Sequence, residues 1–316
     1  MIETIAAAGL PMDEMLEIKK HRIQPVGTSE NWKRISIVTG IHGDELEGQY
    51  VCFELQRRIE QDKNCLSGIV DIYPAMNPLG IDSITRGIPA FDLDMNRLFP
   101  GNIDGSMTEY LAACIMEDVK GSDCVLDIHA SNIYLTEIPQ IRINELHQDM
   151  LVPMAKETNI DLIWIHGAST VLESTFAYSL NHVGTPVLVV EMGVGMRITQ
   201  EYGDQMVDGI FHLMQKMGIW TGEVKPVKTP IISRNPEDVS YLNASVSGVF
   251  IQAVKHGARL REHDLIGRIV DPLRGKVLDE VRAPEDGMLF TIRDYPVVVE
   301  GSLMGRLLKK EVCGYE

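Results

Sequence analysis

Four short runs constrain what this chain can fold into: ISIV (35–38), GIVDIYP (68–74), CVLDI (124–128) and PVLVVEM (186–192). They are rich in β-branched and apolar residues and lack the apolar–polar alternation of a half-exposed sheet. That pattern belongs to strands covered on both faces. Helical periodicity lies between them. Leu46, Tyr50, Phe53 and Ile59 are spaced for one helix. Ser106 and Glu109 form a capping box for a second, running to about residue 120. Ile198, Tyr202, Met206, Ile210, Phe211 and Met214 mark one face of a third. Strand and helix alternate, so the first two thirds is expected to be α/β, with a largely parallel sheet flanked by helices. LTEIPQIRI (135–143) and DLIWI (161–165) are expected to add strands.

The texture changes near residue 222. TGEVKPVKTPIISRNPED is polar and proline-bearing, as linkers are, and short glycine-punctuated β segments follow. GVFIQAVKHG…LIGRI (248–269) is echoed by GMLFTIRDYP…LMGRL (287–307), with Gly267 and Gly305 at matching places. Two related halves predict a small quasi-twofold barrel or sandwich. The expected division is therefore residues 1–225 and a smaller all-β domain, 226–316.

Composition narrows the function. A net charge of −16 argues against a nucleic-acid surface, though local arginines can still bind a small anion. No apolar run approaches the roughly 20 residues needed to span a membrane, and the N-terminus lacks the basic start of a signal peptide. The five cysteines are scattered, with no C-x-x-C pair, so reduced thiols in a cytoplasm are expected. A homo-oligomer is compatible with the sequence, which does not set the state.

Open α/β sheets bind ligands beyond the carboxyl ends of their strands. The unusual polar residues fall there: His42 after ISIVTG, Asn77 after IVDIYPA, His129 after CVLDI, and Glu191 after VLVV. His42 and Glu45 are spaced H-x-x-E, and imidazole and carboxylate both suit Zn²⁺, with His129 as the natural third ligand. Taken alone, Glu45 also fits an acid in the first turn of a helix. An acid in a run as apolar as VLVVEM is costly without a purpose, and Glu191 suits a general base. The loop ITRGIPAFDLDMNRLFPG (84–101) carries Arg86, Asn96 and Arg97. Two arginine forks there suit an anionic group on a substrate, or surface salt bridges. Asp94 is placed to orient a ligand imidazole from behind.

Taken in order, GIHGDELEG, the Arg86 loop, DMNRLFPG, LDIHAS and VVEMG resemble the succinylglutamate desuccinylase/aspartoacylase family, which is related to zinc carboxypeptidases. The resemblance implies a carboxypeptidase-like catalytic fold and one Zn²⁺ per chain on His42, Glu45 and His129, with Glu191 as general base. It implies that Arg86 polarises the scissile carbonyl and that Asn96 and Arg97 hold the substrate carboxylate. Tyr295 is the candidate for a substrate-binding tyrosine from the second domain. The tail is similar to biotinyl and lipoyl domains, but Lys276 has no flanking methionine, so no attached cofactor is expected. The expected activity is removal of an acyl group from an N-acylated amino acid or similar small amide. A metallocarboxypeptidase acting on short peptides and a non-catalytic metal-binding protein are the alternatives.

Overall fold

The computed structural model describes residues 1–89, 91–167 and 173–314. An N-terminal hairpin pairs β1 (Ile2–Gly9) with β2 (Met15–Ile23). β3 (Arg34–Thr39), α1 (Glu47–Gln61), β4 (Ile69–Tyr73), α2 (Pro78–Ser83), α3 (Met107–Val119) and β5 (Cys124–His129) follow. Next come β6 (Leu135–Asn144), α4 (Gln148–Ala155), β7 (Leu162–His166), α5 (Phe176–His182), β8 (Val187–Gly193) and α6 (Gln200–Met217). The four apolar runs are β3, β4, β5 and β8, and they lie together in the order β4-β3-β5-β8, all parallel. Alternate residues of these strands face opposite layers. Ile35, Ile37, Leu126 and Leu188 pack with Val51 and Leu55 of α1 and Met206 and Ile210 of α6. Val38, Val125 and Val187 pack with Leu111 and Ile115 of α3 and Phe176 and Leu180 of α5. Burial on both faces is the reason these runs show no alternation.

The capping box forms as expected: the Ser106 hydroxyl accepts from Glu109 N, and Ser106 N donates to the Glu109 carboxylate at 2.8 Å. The hairpin was not anticipated. Its second strand alternates, burying Leu16, Ile18 and Lys20, but a lysine at a buried position hides the pattern. Lys20 is accommodated because its ammonium donates to both oxygens of Asp118 at 2.8 Å. The sheet is mixed: β2 runs antiparallel to β4, and β6 antiparallel to β8.

The tail comprises β9 (Ile231–Ser233), β10 (Val239–Asn243), β11 (Gly248–Gln252), β12 (Arg259–Leu260), β13 (Leu265–Asp271), β14 (Lys276–Arg282), β15 (Gly287–Arg293), β16 (Val297–Val298), β17 (Leu303–Lys309) and the short α7 (Lys310–Cys313). The echoed halves are two antiparallel pairs, β11 with β13 and β15 with β17, each in its own sheet. Phe250, Ile269, Leu289 and Leu307 fill the space between the sheets. Gly267 is glycine because a Cβ there would lie 2.4 Å from the Phe250 ring. One of these sheets is continuous with the N-terminal one. β15 pairs with β6, and β9 with β7, so one 13-stranded sheet runs through both parts of the chain. Among the described residues, no helix is long and apolar enough to cross a membrane.

Candidate active site

β3 ends in a turn built for close packing. Gly40 takes φ +71°, and Gly43 N donates to Arg86 O at 3.2 Å. A Cβ on Gly43 would sit 2.0 Å from the carbonyl carbon of Gly80 in α2, so only glycine lets the turn approach. The turn buries both His42 and Glu45. Glu45 lies ahead of α1, not in its first turn. Glu47 is the first-turn acid, and its carboxylate accepts from Thr199 N (2.7 Å) and Thr199 Oγ1 (2.8 Å) at the start of α6.

His129 is the last residue of β5, and the three groups converge. Nδ1 of His42 lies 2.8 Å from Glu45 Oε1, and Nδ1 of His129 lies 2.9 Å from Glu45 Oε2. The ligand atoms of all three lie within 4.8 Å of one another, all buried, so the group could hold a metal ion. The other ring nitrogens face carboxylates. His42 Nε2 is 3.1 Å from Asp94 Oδ1, and His129 Nε2 is 3.2 Å from Asp127 Oδ2. Burial disfavours a charged His42, but Glu45 and Asp94 outweigh it and raise its pKa. Burial likewise opposes charge on His129, and Asp127 and Glu45 raise it well above the usual range. Burial alone would raise Glu45, yet the two imidazoles hold it well below the ordinary carboxylate value. Two imidazoles and one carboxylate gathered in this way fit a divalent metal such as zinc. Asp127 is a site residue that sequence reasoning missed. The signal was in the D-x-H spacing, since residues two apart in a strand share a face.

Glu191 is the register partner of His129 on the neighbouring strand β8. Burial pushes its carboxyl up to about 7, against the pull of Arg142. Arg142, also missed from the sequence, lies on β6 with Nη1 3.2 Å from Glu191 Oε1 and Nη2 donating to Glu137 Oε2 at 2.7 Å. Glu137 is fully buried and also accepts from Arg306 Nη1 (2.6 Å) and Thr291 Oγ1 (3.0 Å), both in the tail.

The Arg86 loop closes one side. Arg86 Nη1 donates to Glu45 Oε1 at 2.9 Å and its Nη2 reaches Asp94 at 3.5 Å. Asp94 caps the next turn, accepting from Asn96 N at 2.8 Å. Asn96 Oδ1 accepts from Phe176 N at 2.9 Å, tying the loop to α5, and Arg97 donates to Asn96 O at 2.7 Å. Asn77 works at a distance: it caps α2 through Gly80 N and donates to Gly87 O, shaping the Arg86 loop. A cavity of about 450 Å³ is lined by His42, Arg86, Asn96, Arg97, His129 and Glu191, together with Arg142 and with Tyr241 and Arg306 of the tail. Tyr295 is not among its lining residues. It is half exposed, with its ring 5.7 Å from that of Tyr134. Among the described residues, the tail's tyrosine at the cavity is Tyr241.

Residues 31–217 match the Succinylglutamate desuccinylase/Aspartoacylase catalytic domain. N-alpha-acetyl-L-2,4-diaminobutyric acid deacetylase of Halomonas elongata is 29% identical over 267 residues, covering 82% of this chain and 77% of that protein. The fold is shared with the product-bound ectoine utilization protein EutE of Ruegeria pomeroyi (TM-score 0.80, 19% identity, 96% and 93% of the two chains). It is shared too with a succinylglutamate desuccinylase of Silicibacter sp. TM1040 (TM-score 0.81, 21% identity, 98% and 95%). With a catalytic-domain match over more than half its length, the chain belongs to the succinylglutamate desuccinylase/aspartoacylase family of deacylating hydrolases.

Proposed function

We propose that this protein is a zinc-dependent amidohydrolase that removes the acyl group from a small N-acylated amino acid. The observation that carries the reading is the convergence of His42, Glu45 and His129 beside a mostly buried Glu191 whose pKa is raised to about 7. His42, Glu45 and His129 would hold the ion, which supplies Lewis acidity for a water and for the scissile carbonyl. Glu191 takes the proton from the attacking water and passes it to the leaving amine, a role that calls for a pKa near the working pH. Asp94 and Asp127 keep the two imidazoles oriented. Arg86 donates to the developing oxyanion. Asn96 and Arg97 hold the substrate carboxylate, arginine offering the planar fork that carboxylates accept.

The test combines metal analysis with a substrate panel. Purified protein is expected to hold about one zinc per chain and to cleave N-acetyl or N-succinyl amino acids faster than short peptides. His42→Ala and His129→Ala are expected to lose both metal and turnover. Full metal affinity in these variants would refute the ligand set, and peptides as the better substrates would refute the small-amide assignment.

A further inference from the structure

Four charged side chains run in file from the tail to Glu191. Arg306 of β17 donates from Nη1 to Glu137 Oε1 at 2.6 Å. Glu137 of β6 accepts on its other oxygen from Arg142 Nη2 at 2.7 Å. Arg142 then sets Nη1 3.2 Å from Glu191 Oε1. The file alternates in sign, and all four side chains are mostly buried, Glu137 fully so. Both guanidiniums also lie against one ring. Their central carbons stand 5.6 Å (Arg142) and 5.5 Å (Arg306) from the centroid of Trp164. Two cations gathered on one ring repel each other unless an anion joins them, and Glu137 is that anion.

Glu191 takes its counter-charge from this file. Among the described residues, Arg142 is its one ion-pair partner. Gln140, its register partner on β6, is buried with neither amide atom in a hydrogen bond, so it does not hold the carboxylate. The other charged groups of the cavity face elsewhere. Asp127, whose oxygens accept no hydrogen bond, lies 3.2 Å from His129 Nε2. Arg86 donates to Glu45 and Asp94, and Arg97 to Asn96 O. Arg142 therefore serves two carboxylates, and it can do so because Glu137 is shared with Arg306. Without the Arg306 charge, Glu137 keeps the Thr291 hydroxyl and has Arg142 as its one counter-charge. A buried ion stripped of one partner draws on the nearest remaining one. Arg142 would turn from Glu191 to Glu137.

We propose that Arg306, supplied by the tail, is a positioning residue for the hydrolysis: by neutralising Glu137 it leaves Arg142 to fix the Glu191 carboxylate in place. The role in turnover rests on the deacylase reading, whereas the linkage rests on the four side chains alone. The tail thereby takes part in the chemistry through Glu137 and Arg142 and not by contact with the reacting atoms.

The test is Arg306→Gln in the zinc-loaded full-length protein, with kcat expressed per bound zinc so that unfolded chains do not count. Glutamine keeps a donor for Glu137 and removes the charge. On the N-acetyl or N-succinyl amino acid cleaved fastest by the wild type, kcat is expected to fall by about tenfold or more while KM changes by less than about threefold, because a small misplacement of a reacting group is enough to cost this much. Arg306→Lys returns the charge and should restore most of the rate. Arg268→Ala, which removes an exposed tail arginine 3.1 Å from Glu280, should leave kcat at the wild-type value. Two double variants separate positioning from packing. Arg142→Met should lower kcat by itself, and adding Arg306→Gln to it should change nothing more, since Arg306 acts through Arg142. Adding Glu137→Gln to Arg306→Gln removes the competitor for Arg142 and should raise kcat above that of Arg306→Gln, whereas a packing role predicts a further fall. An unchanged kcat in Arg306→Gln, a raised KM in its place, or additive losses with Arg142→Met overturns the proposal. Should Arg306→Gln fail to fold, Thr291→Val carries the test by removing the other donor to Glu137 Oε1, and an unchanged kcat there overturns it. A second readout needs no turnover. In a crystal structure of Arg306→Gln, both terminal nitrogens of Arg142 are expected on Glu137, and an Arg142 still bridging to Glu191 overturns the linkage. If no amide is cleaved while Arg142 moves, the deacylase reading fails and the linkage stands. Cleavage at an undiminished kcat sinks the linkage alone.

Discussion

At the scale of single residues, the site is a set of carboxylates assigned different tasks by their surroundings. Glu45 is held ionised between two imidazoles, while burial lifts Glu191, two strands along from the His42 turn, to about 7. Environments that push two acids apart in this way are a mark of acid–base chemistry. Glu191→Gln should keep its metal and its fold while turnover falls by about 10²–10⁴-fold, the usual worth of a general base. Zinc content, circular dichroism and kcat measured on the same sample check this, and near-normal kcat would remove Glu191 from the role. His42, Glu45 and His129 stand out in the sequence because each ends a strand or sits in a glycine-bracketed turn, and Glu191 because it is an acid in an otherwise apolar strand. Arg142 was not. It looks like one polar position in an ordinary strand until β6 is set beside β8, where it lies 3.2 Å from Glu191.

At the scale of elements, the H-x-x-E turn is coupled to the strand that carries Glu191. Gly193, the last residue of β8, takes φ +67°, and a Cβ there would lie 1.9 Å from the Glu47 carboxylate oxygen. That carboxylate in turn holds both polar groups of Thr199 ahead of α6. Gly193→Ala should therefore destabilise the protein by about 1–3 kcal/mol, through backbone strain and a displaced cap. A lower urea midpoint with an unchanged slope is the expected observation; an unaltered midpoint would mean that Glu47 repacks freely. Two of the three acids in DELEG thus have unlike duties: Glu45 faces the imidazoles and Glu47 secures a helix. Spacing alone could not divide them, because Thr199 lies 152 residues away.

At the scale of the whole molecule, the tail is part of the cavity's construction. Arg306 anchors on Glu137, packs over Trp164 and lines the cavity beside Tyr241. Val239, Phe290 and Leu308 share a core cluster with Ile138 and Leu162. Removing residues 226–316 would strip β15 from β6 and β9 from β7, exposing two strand edges and that cluster. A 1–225 fragment is expected to be insoluble or to unfold at much lower urea than the full chain. Gel filtration and a urea melt check this, and a soluble fragment of full stability would support the proposed division at residue 225 as two independent folding units.

Local chemistry wrote much of this protein into its sequence. Both-face burial makes a strand continuously apolar, a capping box needs residues three apart, and a turn that must pack closely needs glycine. Each signal sits within a few contiguous residues, so β3, β4, β5, β8, the start of α3 and the gathering of His42, His129 and Glu191 could be read directly, whereas Asn77 turned out to cap α2. The echo of Gly267 and Gly305 likewise foretold two matching strand pairs. The tertiary structure alone decided that the second pair joins the main sheet, that Tyr241 and not Tyr295 reaches the cavity, and that Glu137 gathers Arg142, Thr291 and Arg306. These contacts bridge up to 169 residues. They depend on which strand edge accepts a partner and on where a buried charge finds its counter-charge, and both are set by the packing of the whole chain rather than by any stretch of it.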